Sequence, residues 1–219
     1  MTDTTFQRAR SAERKQERSE AFMAAARTVA ARDGVHETTL VAIAHEVGLH
    51  HSAIRRYFAS RDAVLLRLAT DGWNAWADRL VERLDSETLD ADAVVAALVE
   101  TLVVDRLFCD LLGNVPLHLE RNVDGDELLT FKRTAITALG RIVDAIAAAC
   151  PALGTRRARD LMTAANSLAA TLWQVCHPSP ALADIYRREP ELGHREDDFP
   201  PLLLRLLTAT AYGLMDAPA

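Results

Sequence analysis

TTLVAIAHEVGLHHSAIRRYFASR, residues 38–61, holds two short helical patterns on either side of a single glycine. Leu40–Val47 reads as one helix and His50–Tyr57 as a second, which begins polar and ends basic. Ile43 and Val47 share a helix face and can bury together. Ala44 is small and lets the second helix approach closely. Gly48 takes a positive φ without a Cβ clash, which a tight turn between crossed helices needs. Leu49, Ala53 and Ile54 point back inward and close a small core. His50, His51, Ser52, Arg55, Arg56 and Tyr57 are left facing outward. They are donors, cations and an aromatic hydroxyl, a set suited to phosphates and base edges. The pattern is a helix-turn-helix.

Upstream, residues 5–33 predict one long helix, in which Phe22, Ala25, Ala26, Val29 and Ala30 recur at the spacing of one buried face. Gly34 stands at the C-cap position. Arg8, Arg10, Arg14, Lys15 and Arg18 precede the apolar part. They read either as a basic arm along a DNA backbone or as a solvated helix interleaved with Glu13, Glu17 and Glu20. Downstream, Ser60 is a good N-cap and Asp62 sits in the first turn, where negative charge is favoured. Val64, Leu65, Leu68, Trp73, Trp76, Leu80 and Leu84 carry that helix to residue 84. At the helical rise it spans about 30 Å, enough to join a small head to a larger body. Trp73 and Trp76 share a face, as core or as part of a ligand cage.

After a break at Asp85-Ser86, apolar repeats predict a fifth helix over residues 93–110. Gly113, Asn114 and Pro116 predict a short or kinked sixth helix ending at Glu120, and Asn122 opens a loop. A seventh helix starts at Asp124 or Asp126 and ends near Cys150; an eighth runs from Thr155 to Cys176. A short helix over 181–188 and a polar loop over 189–198 precede a last helix over 199–214, with Pro200 and Pro201 in its first turn. No segment reads as a strand. The expected fold is all-α with nine to ten helices: a helix-turn-helix head (residues 1–60) joined by its fourth helix to a helical body (residues 61–219).

Composition fits that reading. Hydrophobic residues make up 49% and aromatics only 5%, which favours packed helices over sheets. No apolar run is long enough to span a membrane, and the charged N-terminal run has no signal-peptide core, so a cytoplasmic protein is expected. Cys109, Cys150 and Cys176 are scattered without a Cys-x-x-Cys pair, which predicts buried thiols and no metal site. Net charge is −6, which on its face disfavours nucleic acid. Its distribution does not: residues 1–62 hold ten bases and eight acids, a surplus of +2, and the other fifteen bases and twenty-three acids leave −8 on the body. Only the head is basic enough to meet phosphate.

The run Thr39…Ile43-Ala44…Val47-Gly48-Leu49…Tyr57-Phe58…Ser60-Arg61 resembles the DNA-binding signature of TetR-family transcriptional regulators. In that family a threonine opens the second helix, an Ile-Ala pair packs it, and an aromatic-Phe pair ends the recognition helix. Arg55 departs from the pattern: the family often has a tyrosine there. Its fork suits a phosphate all the same. The resemblance implies that Thr39, His50, His51, Ser52, Arg55, Arg56, Tyr57 and Arg61 hold double-stranded DNA. His51 and Ser52 are the expected base readers; Arg55, Tyr57 and Arg61 are the expected phosphate contacts.

RLFCDLLGNVPLHLERN (106–122) and SLAATLWQVCHPSPAL (167–182) resemble the ligand-binding regions of one branch of the same family. There the body encloses a small-molecule pocket and forms a homodimer through its eighth and last helices, here about 156–176 and 199–214. Leu161, Leu168, Leu172, Leu202, Leu203, Leu206 and Leu207 supply the apolar surface, as interface or as ordinary core. The effector residues so implied are Trp76, Phe108, Leu112, His118, Leu119, Phe131, Trp173 and His177, each with core filler as the alternative. An apolar, aromatic-lined pocket suits a largely apolar effector. The function implied is a DNA-binding regulator, a repressor by family default, with no cofactor. Two other classes stay open. A helical enzyme has no His-Glu-x-x-His, Gly-x-Ser-x-Gly, phosphate-loop or dinucleotide motif to support it. An interaction module that has lost DNA reading rests on Arg55 and the small +2 surplus.

Overall fold

The computed structural model describes residues 3–85, 88–121 and 123–217, with side chains from residue 13 onward. The readings of the Arg8 and Arg10 side chains, and those of Ser86 and Asn122, lie outside the described residues. Among the described residues there are ten α-helices and no strand: α1 (Asp3–Asp33), α2 (Leu40–Glu46), α3 (His51–Ile54), α4 (Arg61–Leu84), α5 (Ala91–Val103), α6 (Arg106–Leu117), α7 (Gly125–Ala149), α8 (Gly154–Cys176), α9 (Pro180–Arg188) and α10 (Phe199–Asp216). No described helix is long and apolar enough to cross a membrane.

Short polar side chains start half of the described helices by accepting an otherwise unpaired N–H. Thr39 Oγ1 accepts from Ala42 N at 3.1 Å, Ser60 Oγ from Ala63 N at 3.0 Å, and Asp90 Oδ1 from Ala93 N at 2.8 Å. Asp124 Oδ1 takes both Asp126 N (2.8 Å) and Glu127 N (3.0 Å), which fixes the start of α7.

Phe22, Ala26 and Ala30 of α1, Ile43 and Ala44 of α2, Ile54 at the end of α3 and Leu65 and Leu68 of α4 are buried together as the core of the head. That core continues along α4 into the body. Trp73, Trp76 and Phe108 pack there tilted or edge to face, with ring centroids 5.5–5.8 Å apart. In the body α4 packs along α7, α8 lies between α6 and α10, and α5 closes against α10.

Two expectations need correction. The apolar repeat over 93–110 is two helices, because Asp105 caps a new one: its Oδ1 accepts from Phe108 N at 3.0 Å. α6 then runs straight through Gly113 and holds Pro116 in its last turn. A proline so near the C-terminus removes one hydrogen bond without breaking the helix, and His118 N still reaches Asn114 O at 3.0 Å. The 189–198 loop contains two 3-10 turns, Pro190–Leu192 and Glu196–Asp198. The three cysteines are free and buried. Burial, with Asp105 adding, pushes the Cys109 thiol up to about 12, so it is a packing group rather than a nucleophile.

Candidate nucleic-acid interface and body cavity

The turn between α2 and α3 is built as the sequence predicts. Gly48 has φ +73°, and nothing lies within 4 Å of where its Cβ would stand, so the position demands the backbone conformation and not the space. Gly48 N donates to His45 O and Leu49 N to Ala44 O, both at 2.9 Å, the paired bonds that end a helix on a left-handed glycine. The second helix is shorter than expected, His51–Ile54, but does not unwind after it. Arg56 N donates to Ala53 O (3.3 Å), Tyr57 N to Ile54 O (2.9 Å) and Phe58 N to Ile54 O (3.0 Å). This tighter winding carries the turn to Phe58.

The segment is anchored by buried Ile54 and Phe58. His50, His51, Ser52, Arg55 and Arg56 are exposed, as is Thr39 at the start of α2. His50 also caps the helix, because its Nδ1 accepts from Ser52 N at 3.4 Å and lies 3.0 Å from Ser52 Oγ. Tyr57 is half-buried, its ring 5.4 Å from that of Phe22. A groove of about 880 Å³ runs between this segment and α1. Arg14, Lys15 and Arg18 line it from α1, and Arg56 and Tyr57 from the far side, with Glu17 the one acid. The α1 cations and the end of the recognition segment therefore share one space, which chain order alone does not reveal.

Arg61, expected at phosphate, also has a structural duty. Its guanidinium turns onto the loop between α1 and α2 and is only partly exposed. Nε donates to Thr38 O at 2.5 Å, one terminal nitrogen to His36 O at 3.0 Å and to Val35 O, and the other pairs with Asp62 Oδ1 at 2.9 Å. Three backbone carbonyls with no helical partner hold this side chain, so it positions the head. Its partners lie more than twenty residues back, beyond the reach of a local reading.

In the body, a cavity of about 370 Å³ lies between α4, α6, α7 and α8. Of the residues expected to meet an effector, Leu112 and Phe131 line it, and Trp73 lines it too. The other expected effector residues are placed elsewhere. Trp76 and Phe108 are core, and Trp76 Nε1 donates to Thr101 Oγ1 at 3.2 Å. Leu119 is buried beneath the wall, and His118 is exposed at the C-cap of α6. Trp173 stacks on His177 with centroids 3.5 Å apart, at the end of α8. His177 lines a different cavity with Tyr186, Arg187 and His194.

The wall residues that the sequence reading missed are Val115 and Pro116 on α6, Ala135, Ile136 and Leu139 on α7, and Met162, Thr163, Asn166 and Ser167 on α8. Their signal is helical spacing: 131, 135 and 139 fall on one stripe, and 162 and 166 on another. Lys132 Nζ and Glu120 Oε1 pair at 2.6 Å on the same wall. Asn166 Oδ1 is buried without a hydrogen-bond partner. The cavity is therefore largely apolar, with one ion pair on its wall. Among the described residues no cluster of His, Cys, Asp or Glu is suited to a metal ion.

Comparison with known proteins agrees with this architecture. Residues 22–68 match the family described as bacterial regulatory proteins, tetR family, and residues 70–218 match the tetracyclin repressor-like C-terminal domain. No curated protein sequence matches the chain. Among solved structures, the multidrug binding protein EbrR complexed with imidazole superposes with a TM-score of 0.57 at 16% identity, covering 92% of this chain and 97% of that one. The fatty acid degradation regulator FadR from Bacillus halodurans gives 0.54 at 15% identity, over 91% and 99% of the two chains. The MbdR regulator from Azoarcus sp. CIB gives 0.50 at 18%, over 91% and 98%. At these identities the likeness is one of fold. The family matches, which together cover most of the chain, go further: this chain belongs to the TetR family, and it is a DNA-binding transcriptional regulator and not an enzyme.

Proposed function

We propose that this protein is a repressor that binds a palindromic operator as a homodimer and leaves it when a small, largely apolar effector enters the body. The observation that carries the DNA half is the shared groove, where Arg14, Lys15, Arg18 and Arg56 flank a turn whose His51 and Ser52 stand exposed. In this reading His51 and Ser52 meet base edges, and Arg55, Arg56 and the α1 cations meet phosphate. Thr39 keeps its hydroxyl hydrogen for the backbone while its oxygen caps α2. Two heads would engage successive major grooves, about 34–36 Å apart.

The effector half rests on the 370 Å³ cavity. A ligand that fits it has an apolar body and a polar end for the Lys132–Glu120 pair. Of the structural relatives, EbrR is described as multidrug binding and was solved with imidazole, which accords with a small effector. Release requires the ligand to bind one arrangement of the heads better than the other.

The test is binding to the DNA upstream of the protein's own gene at low and moderate salt, with His51→Ala alongside. Specific, salt-sensitive binding that the substitution abolishes is expected. Binding that ignores both sequence and the substitution would overturn the reading.

A further inference from the structure

Asp110, on α6, accepts hydrogen bonds from three places in the fold. Its Oδ2 accepts from the backbone N–H of Val35 at 3.0 Å, in the loop between α1 and α2. Its Oδ1 accepts from Gln174 Nε2 on α8 at 3.0 Å and from Asn114 Nδ2, one turn along α6, at 3.1 Å. Gly113 sets how close α8 can come: a methyl there would stand 2.9 Å from the Ala170 carbonyl oxygen, so the two helices meet at backbone contact. A carboxylate holds such donors more firmly than a neutral acceptor does.

Val35 is fixed from its other side as well, because its carbonyl accepts from Arg61. Arg61 also holds the carbonyl of Thr38, and the next residue, Thr39, caps α2. A chain of contacts thus runs from α8 through Asp110 to the loop that starts the helix-turn-helix. The same two helices wall the body cavity, with Leu112, Val115 and Pro116 on α6 and Met162 and Asn166 on α8. A shift of α6 against α8 changes the geometry at Asp110 directly, because the carboxylate is shared between them.

We propose that Asp110 is the positioning residue through which α6 and α8 hold the α1–α2 loop, so that occupation of the body cavity is felt at the start of α2. The second clause rests on the effector reading above; the first does not.

Hydrogen–deuterium exchange of the full-length protein tests the first clause. In Asp110→Leu, peptides covering residues 34–40 should exchange about ten-fold faster or more, while α7 peptides keep their wild-type rate. Asp110→Asn should restore most of the protection, since its oxygen can take the Val35 N–H while Gln174 and Asn114 rotate their amides. Gln174→Leu, at an exposed position, should speed the same peptides by about three-fold from the far end of the chain of contacts. Should Asp110→Leu loosen the whole fold, Gln174→Leu gives the reading instead. Unchanged loop exchange in both would overturn the proposal.

A second arm uses DNA selected by the wild type from random duplexes. Asp110→Leu should bind it about three-fold or more weakly with the salt slope intact, because no phosphate contact is removed. Equal affinity would overturn the link to the head. A wild type that selects no DNA would instead overturn the regulator reading and leave the exchange result standing.

Discussion

Arg55 and Arg61 stand six positions apart and both read as phosphate contacts, yet their surroundings differ. Arg55 is exposed just past α3, whereas Arg61 is fastened to the carbonyls of Val35, His36 and Thr38. Arg55→Ala should leave thermal stability unchanged, weaken binding to all DNA sequences alike and flatten the salt slope by about one contact. Arg61→Ala should lower stability by about 1–3 kcal/mol, since it strands three loop carbonyls. It should leave the salt slope near the wild-type value for the fraction that stays folded. Melting curves and DNA titrations at two salt concentrations separate the two. A flattened slope in Arg61→Ala with unchanged melting would reinstate it as a phosphate contact. The sequence identifies both residues as cations near a helix-turn-helix. Which way a guanidinium turns depends on acceptors far along the chain, and no local spacing encodes that.

At the level of elements, the same contrast separates turns and caps from breaks. Gly48, Ser60 and Asp124 were legible because a left-handed turn or an unpaired helix start needs particular residue types at fixed offsets. The break between α5 and α6 was not, because Val103 and Leu107, four residues apart, carry the apolar spacing across it and only Asp105 marks the new start. The cavity wall was half legible for a related reason: helical spacing assigns a stripe to a face but not that face to a neighbour, so Trp76 and Ala135 could not be told apart as core and lining. Both kinds of element make checkable demands. Gly48→Ala meets no steric obstacle, so its cost should be that of the left-handed backbone alone, about 1–2 kcal/mol. Asp105→Ala should cost about 1 kcal/mol through the lost cap. Chemical denaturation measures both. A neutral Gly48→Ala would mean that the turn relaxes and that the glycine is not what sets the angle between α2 and α3.

For the whole molecule, the question is how a head with a surplus of only +2, on a body of −8, holds a polyanion. One head offers a few phosphate contacts, and the body opposes any approach but head first. Two heads presented together double the contacts, which is why the proposed dimer matters physically. Part of the surface expected to join the protomers is not available: Leu161, Leu203 and Leu207 are consumed in this chain's own core. What α8 and α10 leave outside the core is partly buried Leu168, Leu172, Leu202 and Leu206, with Val175 and Leu204 each 39% exposed. In an interface of about 1,200–2,000 Å² that uses the exposed side of α10, Leu204 would be buried against the mate, where a carboxylate has no partner. Leu204→Glu should therefore convert a dimer to a folded monomer in sedimentation equilibrium. It should keep the wild-type melting of the isolated chain and lose most of its affinity for selected DNA while the recognition segment stays intact. The DNA loss should scale with the loss of dimer when protein concentration is raised, because mass action restores the pair. A wild type that is monomeric at micromolar concentration, or a Leu204→Glu protein that still sediments as a dimer, would move the interface off α8 and α10. The paired-head geometry would then need another surface to support it.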